Sequence, residues 1–227
     1  MKSRDEHTCL LLRETLALTM LAMATDCEQQ TDGHIRRVTE YVRFLITAIR
    51  NNPNGYMPTL EQENNIILVA KLHDIGKMAV PGYILRKPGK LTAAEFDVVR
   101  THPLYGAMFL DRFMRAEGSA PFLAVARDIA LYHHEKWDGT GYPFGYRGKK
   151  LPLSARIVAI ADVYDALVST RPYRSAVSHE EAIGIIKRDS GKHFDPYLVG
   201  LFLTYADAVR IISQSTDEPN NPGRFNL

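Results

Sequence analysis

The chain has 227 residues, of which 45% are hydrophobic and 24% charged, so it is long enough and apolar enough to bury a core. Its formal net charge is only +2 and its basic residues form no long run, which argues against a protein that binds DNA or RNA duplexes. A small anionic ligand needs only a local basic pocket, and the overall charge does not exclude one.

Apolar residues dominate the first predicted helix, which covers about residues 9–25. Arg13 and Glu14 interrupt this helix, so it lacks the ~20 continuous apolar residues that a membrane span requires. Cys9 and Cys27 fit neither a disulfide framework nor a zinc motif, which favours a reducing compartment. We therefore expect a cytoplasmic protein that does not enter the membrane, with residues 1–28 acting as a linker or as the dimerisation helix of a homodimer.

Apolar residues at three- and four-residue steps predict helices along the rest of the chain. These helices cover about residues 31–50, 59–73, 121–134, 155–169, 178–188 and 196–212, and two more begin near Thr92 and at His102. Thr92 and Glu95 have the spacing of a capping box. Residues 137–153, rich in glycine and aromatic side chains, form the one clearly non-helical segment. The sequence predicts a single all-α domain over residues 29–212 and a mobile tail over residues 213–227.

Several imidazoles and carboxylates lie within or at the ends of apolar helices. Asp162 lies inside an apolar helix, where a lone carboxylate is costly to bury and therefore needs a cationic partner. His73-Asp74 and His133-His134 stand where predicted helices end. On these residues alone, hydrogen-bonded core histidines and a salt bridge from Asp162 to an arginine remain open. Taken together, nitrogen and oxygen donors without thiolates are the ligands that a divalent metal requires.

The ordered set of motifs resembles the HD-GYP subgroup of the HD phosphohydrolase superfamily, over about residues 25–205. The motifs are His34–Val38, His73–Lys77, His133–Pro143, Asp162–Leu167, Arg171–Arg174 and Phe194–Pro196. The resemblance implies an all-α fold, an HD-type helical bundle with a Gly/aromatic-rich GYP loop at Gly141-Tyr142-Pro143. It also implies a phosphodiesterase of bacterial second-messenger signalling, which hydrolyses cyclic di-GMP to pGpG and, in part, to GMP.

The same resemblance implies two divalent transition-metal ions. One ion would be bound by His34, His73, Asp74 and Asp162, and the second would share Asp74 and be bound by His102, His133 and His134. Two ions ~3.5–4 Å apart can activate a hydroxide for attack on phosphorus and stabilise the charge that develops. Iron or manganese is expected, with nickel and cobalt as alternatives. Asp165 fits a structural role, such as capping or a bond to a metal ligand, and His193 is interpreted as a surface or loop histidine.

Four residues are implied to act on the substrate rather than on the metals. Lys77 follows Asp74 by one helical turn and would neutralise the phosphate or assist the leaving oxygen. Tyr142, in the GYP loop, would bond a phosphate or a base. Arg171 and Arg174 correspond to a substrate-clamping pair, because guanidinium groups suit phosphate oxygens and the edge of guanine.

Two alternatives to this activity stay open. One is a catalytically silent module that senses a cyclic dinucleotide or docks a partner protein; the complete set of ligand positions favours catalysis. The other is a different substrate, such as hybrid cyclic GMP-AMP. One departure from the family pattern is Gln30, which stands where many members have a third-metal glutamate, although Asp32 lies nearby. We therefore expect two metals rather than three, with pGpG as the main product.

Regulatory domains commonly precede this catalytic unit, and the sequence begins without a receiver or other sensory domain. We expect either a stand-alone enzyme or a piece of a longer regulator. A receiver or sensory domain, or a GGDEF-domain protein, is the expected protein partner.

Overall fold

The structure is a computed structural model that describes residues 12, 15–20, 22, 32–52, 58–117, 120–170 and 175–214. Its α-helices are α1 (Asp32–Asn51), α2 (Leu60–Val69), α3 (Gly82–Leu85), α4 (Ala93–Val99), α5 (His102–Glu117), α6 (Pro121–Tyr132), α7 (Leu153–Val168), α8 (His179–Arg188), α9 (Pro196–Thr204) and α10 (Ala206–Gln214). Shorter 3-10 helices cover Ala70–Leu72, Ile75–Ala79 and Gly148–Lys150, and residues 15–20 are also helical. Apart from one isolated bridge between Ser190 and Phe194, these residues form no strand. The all-α prediction is therefore confirmed.

Side-chain caps define where several of these helices begin. Thr59 and Gln62 form a capping box at the start of α2, in which the threonine hydroxyl accepts from Gln62 N and the glutamine oxygen accepts from Thr59 N. Thr92 and Glu95 form the predicted box at the start of α4. Such caps satisfy amide groups that have no partner within the helix, so the sequence fixes these boundaries locally.

The centre of the core is the packing of α1 against α7, and α6 also packs against α7. Tyr41 of α1 and Tyr164 of α7 are fully buried and meet edge to face, with ring centroids 5.2 Å apart. α6 contributes Leu123, Ala126 and Ile129, which are all fully buried. This packing holds the C-terminal end of α6 and the middle of α7 close to the first turn of α1. No helix among the residues that the structure describes has both the length and the apolarity needed to cross a bilayer.

Two predicted helices are interrupted, which corrects the continuous spans predicted over 59–73 and 196–212. The α-helical part of the first ends at Val69, and tighter 3-10 turns carry the chain to Ala79. The second breaks at Tyr205, whose φ of −117° and ψ of 31° are not helical, to give α9 and α10. Apolar spacing continues across both breaks, so the periodicity does not reveal them.

Candidate metal centre

Residues from five parts of the fold converge between α1, α6 and α7. His34 lies in the first turn of α1, Asp162 in the middle of α7, and His102 at the start of α5. His73-Asp74 lies between two 3-10 helices, and His133-His134 directly follows α6. The ligand atoms form two groups, each within 4.8 Å: Asp74, His102, His133 and His134 in one, and His34, His73 and Asp162 in the other. The structure thus brings all seven predicted ligands together.

Backbone carbonyls fix the orientation of three of the histidines. In each ring Nδ1 lies against a carbonyl oxygen three or four residues earlier: His73 against Ala70 (2.9 Å), His102 against Val99 (2.7 Å), and His133 against Ile129 and Ala130 (both 3.1 Å). A carbonyl oxygen can only accept a hydrogen bond, so Nδ1 must carry the proton. In the neutral imidazole Nε2 is then left with a lone pair that points into the cluster, as in most metal-binding histidines.

The resulting arrangement of lone pairs fits a cation. Nε2 of His102 and Nε2 of His133 lie 3.4 Å apart, and Asp74 Oδ1 lies 3.2 Å from the first and 3.5 Å from the second. Nε2 of His73 is fully buried and lies 3.3 Å from the other oxygen of Asp74, Oδ2. Electron-rich atoms this close repel one another unless a positive ion lies between them. Divalent transition metals accept this combination of imidazole nitrogen and carboxylate oxygen.

Burial and charge prepare the cluster to bind metal. Burial lowers the pKa of His133, and it lowers that of His134 well below the usual value, which keeps both rings neutral. Burial alone would raise the pKa of Asp74, but Lys77 and His73 hold it well below its usual range. Burial also opposes a charge on His73, yet the Asp74 carboxylate outweighs it and raises the pKa of His73 to about 9. Metal must displace that proton, so metal affinity falls as the pH falls.

Lys77 and Tyr142 lie beside the cluster. Lys77 Nζ donates to Asp74 Oδ2 at 2.8 Å, one 3-10 turn along the chain. The Tyr142 ring stacks on the His134 imidazole with centroids 4.8 Å apart and planes at 24°, and Tyr142 N donates to His134 O. The loop approaches so closely that a Cβ at Gly141 would lie 2.3 Å from Lys136 N, which only glycine permits. Two of the four predicted substrate residues therefore border the predicted ligands.

Sequence reasoning gave no role to two residues that support the GYP loop. Arg100 places its guanidinium carbon 4.7 Å from the centre of the Tyr142 ring. Glu135, which is buried, accepts hydrogen bonds from Phe144 N (2.7 Å) and Gly145 N (3.0 Å). Their closeness in sequence to predicted metal ligands could have pointed to them, since Arg100 stands two residues before His102 and Glu135 directly follows the histidine pair.

Several predicted features lie outside the described residues or outside the cluster. Arg171, Arg174 and Gln30 fall in segments that the structure does not describe, as do residues 1–11, 13–14, 21 and 23–28 of the predicted linker or dimerisation region and residues 215–227 of the predicted tail. The substrate clamp, the two-metal count and the homodimer therefore stay predictions. His193 lies in neither ligand group; it occupies the loop before α9, half-buried and stacked on Phe194 with centroids 4.2 Å apart.

Comparison with known proteins gives the family. The chain matches the HD domain family over residues 20–198. A cyclic di-GMP phosphodiesterase of Vibrio cholerae is 46% identical over 194 residues, which are 84% of this chain and 39% of the relative. A 3'3'-cGAMP-specific phosphodiesterase (number 2) of Vibrio cholerae is 38% identical over 207 residues, which are 90% of this chain and 37% of the relative. The chain thus spans less than half the length of these relatives.

A solved structure supports the same fold. It is a cyclic GMP-AMP specific phosphodiesterase of Vibrio cholerae, which matches 91% of this chain and 51% of its own length with a TM-score of 0.57 and 19% sequence identity. The family match and the two His/Asp groups together support the binding of divalent metal. The chain belongs to the HD domain family, and its motifs are those of an HD-GYP protein.

Proposed function

We propose that the chain is a metal-dependent phosphodiesterase that hydrolyses cyclic di-GMP to pGpG and, in part, to GMP. The observation that carries the proposal is the pair of Nε2 atoms of His102 and His133, which face each other 3.4 Å apart beside Asp74 Oδ1. The 46% identity to a cyclic di-GMP phosphodiesterase supports the choice of substrate. Bound divalent ions supply Lewis-acid activation of water and neutralise charge on phosphate.

Two ions are proposed, one for each group of side chains. His34, His73, Asp74 and Asp162 would hold the first, while Asp74, His102, His133 and His134 would hold the second. The roughly central position of Asp74 supports its role as the shared ligand, since its oxygens lie 3.3 Å from His73 Nε2 and 3.2 Å from His102 Nε2. Iron or manganese is the proposed metal, because both accept mixed imidazole and carboxylate ligands.

Side chains around the ligands would bind and orient the substrate. Lys77 brings an ammonium group to the edge of the cluster, where it can pair with a phosphate oxygen. Burial raises the pKa of Tyr142, so its phenol stays protonated and can donate a hydrogen bond. Arg100, over the Tyr142 ring, adds positive charge on the same side. Arg171 and Arg174 are proposed to clamp the second phosphate or a guanine edge.

A silent sensor is the less favoured alternative, because every predicted metal-ligand position is filled by a residue that can bind metal. Hybrid cyclic GMP-AMP is a second candidate substrate, supported by the 38% identity to a 3'3'-cGAMP-specific enzyme. Turnover of the two cyclic dinucleotides by one preparation would rank them. The cytoplasmic location, the homodimer and a receiver, sensory or GGDEF-domain partner are proposals that follow from the sequence.

The test is hydrolysis of cyclic di-GMP by the metal-reconstituted protein, with products separated by chromatography. Asp74→Ala removes the proposed shared ligand, so we expect turnover to fall by about 1,000-fold or more, the effect of losing electrostatic stabilisation of the transition state. Asp207→Ala is the control, because Asp207 is an exposed carboxylate on α10. Equal turnover by Asp74→Ala and the unmodified protein would refute the proposal.

A further inference from the structure

Asp165 is a fully buried carboxylate on the far side of His34 from the cluster. Its Oδ2 lies 2.8 Å from His34 Nδ1. His34 therefore differs from His73, His102 and His133, whose Nδ1 atoms face backbone carbonyls. The orientation of the His34 ring therefore depends on the side chain of Asp165, so a single substitution at position 165 can alter it.

Arg37 fixes this carboxylate in turn. Its Nε donates to Asp165 Oδ1 at 2.6 Å and its Nη2 donates to Asp165 Oδ2 at 3.0 Å, which is the two-pronged geometry that suits a carboxylate. Arg37 Nη2 also donates to Ser169 Oγ at 2.9 Å. The pairing with Arg37 compensates the negative charge of Asp165 inside the core, so the carboxylate stays ionised and can accept a hydrogen bond from His34.

The spacing of these residues joins two helices at adjacent turns. On α1, Arg37 follows His34 by three residues; on α7, Asp165 follows Asp162 by three residues, so each pair lies on one face of its helix. His34 Nε2 lies 3.6 Å from Asp162 Oδ1, while Arg37 contacts Asp165. One turn of the α1–α7 interface thus contains the predicted metal ligands His34 and Asp162. The next turn contains Arg37 and Asp165, of which Asp165 contacts His34.

We propose that Asp165 and Arg37 are positioning residues that set the metal affinity of the His34, His73 and Asp162 group selectively. An ionised carboxylate only accepts, so it holds the proton of His34 on Nδ1 and leaves Nε2 free to bind an ion. In the other group, His102 and His133 are oriented by backbone carbonyls and His134 stacks on Tyr142, so none of the three is oriented by this pair. The inference rests on the proposed metal centre but not on its substrate.

Asp165→Asn is the sharpest test. The amide of asparagine can donate to His34 Nδ1, which would move the ring proton to Nε2 and block the metal-binding lone pair. We expect one of two ions per chain to bind about 10–100-fold more weakly, as for other groups that orient a metal ligand, while the second ion keeps its affinity. Metal content after gel filtration and competition with a chelator of known affinity measure both values in the full chain.

Asp195→Asn is the matched control, because Asp195 is also buried and ion-paired, through Arg156 Nη1 at 2.6 Å, but belongs to neither ligand group. We expect this variant to lose thermal stability and to keep both ions. Parallel loss of stability and of both ions in Asp165→Asn and Asp195→Asn would overturn the selective role, since burial alone would then explain the effect.

Arg37→Gln is the second variant, and it tests the same positioning role if Asp165→Asn does not fold. It keeps the carboxylate but removes its clamp, so we expect the same ion to weaken by a smaller factor. Unchanged affinity for both ions in every variant that folds would overturn the inference. If the unmodified protein binds no divalent metal, the proposed centre itself fails, which distinguishes the two failures.

Discussion

At the residue scale, the closest backbone approach in the site occurs at Gly76. A Cβ at this position would lie 1.9 Å from the carbonyl oxygen of His102 and 2.4 Å from Gly106 N. The 3-10 helix that follows Asp74 is therefore pressed directly against the first turn of α5, which carries His102. Only a glycine allows the two ligand-bearing segments to come this close.

Gly76→Ala should consequently be among the most damaging substitutions in the chain. The added methyl group meets backbone atoms that cannot rotate away, so we expect a loss of about 3 kcal/mol or more in unfolding free energy together with loss of metal. Gly200→Ala in α9 is the control, because a Cβ there meets nothing within 4 Å. That change should stabilise the helix by up to ~1 kcal/mol. Similar unfolding midpoints in urea for both variants would contradict the expected close contact.

His193 gives a prediction for acid conditions. Burial lowers its pKa to about 4, from a usual value of 6.5, so the unfolded chain takes up a proton at a higher pH than the folded chain. This contribution to stability is complete above pH 6.5 and is lost as the pH falls toward 4, up to about 3 kcal/mol. His193→Gln should lose less stability than the unmodified protein over this range in urea titrations. Identical pH dependence in the two proteins would contradict the shift.

At the element scale, the interface between α1 and α7 contains an unsatisfied polar atom. The hydroxyl of Tyr41 is buried and has no hydrogen-bond partner among the described residues, although its ring packs against Tyr164. Leaving a hydroxyl buried without a partner costs free energy. The aromatic ring, rather than the hydroxyl, must therefore account for the stabilising effect of this residue.

Tyr41→Phe and Tyr41→Ala separate these contributions. The first removes only the unpaired hydroxyl, so we expect unfolding free energy to stay equal or to rise by about 1 kcal/mol. The second leaves a cavity between α1 and α7 and should cost about 3–5 kcal/mol. Thermal unfolding of both variants measures the difference, and a large loss in Tyr41→Phe would reveal a polar partner for the hydroxyl.

Helix positions could be predicted from the sequence where local signals set them. The capping boxes at Thr59 and Thr92 act within one turn, and the boundaries near them agree with the prediction. The break after Val69 could not be predicted, because Ala70, Leu72 and Ile75 continue the apolar pattern. The contact of Gly76 with α5, which follows that break, is a tertiary interaction that sequence spacing does not reveal.

At the scale of the whole molecule, the ligand cluster connects segments that lie far apart in sequence, from His34 in α1 to Asp162 in α7. Chain spacing did not predict this convergence; the family resemblance did, since residue types alone left core histidines and salt bridges as alternatives. Arg100 shows the limit of that resemblance, because its contact with Tyr142 is visible only in three dimensions. For Asp165 the sequence predicted a structural role, and the structure identifies His34 as its partner.

Removing metal should therefore weaken the entire fold. Each ion binds only the folded arrangement, so at a free concentration 100 times the dissociation constant it contributes about 2.7 kcal/mol. Two ions then give about 5 kcal/mol, which corresponds to roughly 10–20 °C in Tm for a chain of this size. Calorimetry before and after chelation, with metal added back as the control, measures this shift. An unchanged Tm would contradict a metal that bridges these helices.

The two ways of orienting the histidines have different consequences for how the protein can evolve. Where a backbone carbonyl orients the ring, as for His73, His102 and His133, neighbouring side chains can be substituted without changing the orientation of the ligand. His34 differs, because its ring is oriented by the side chain of Asp165, which is held in turn by Arg37. Among functional homologues we therefore expect Arg37 and Asp165 either to be conserved together or to be substituted together, so that the two positions covary.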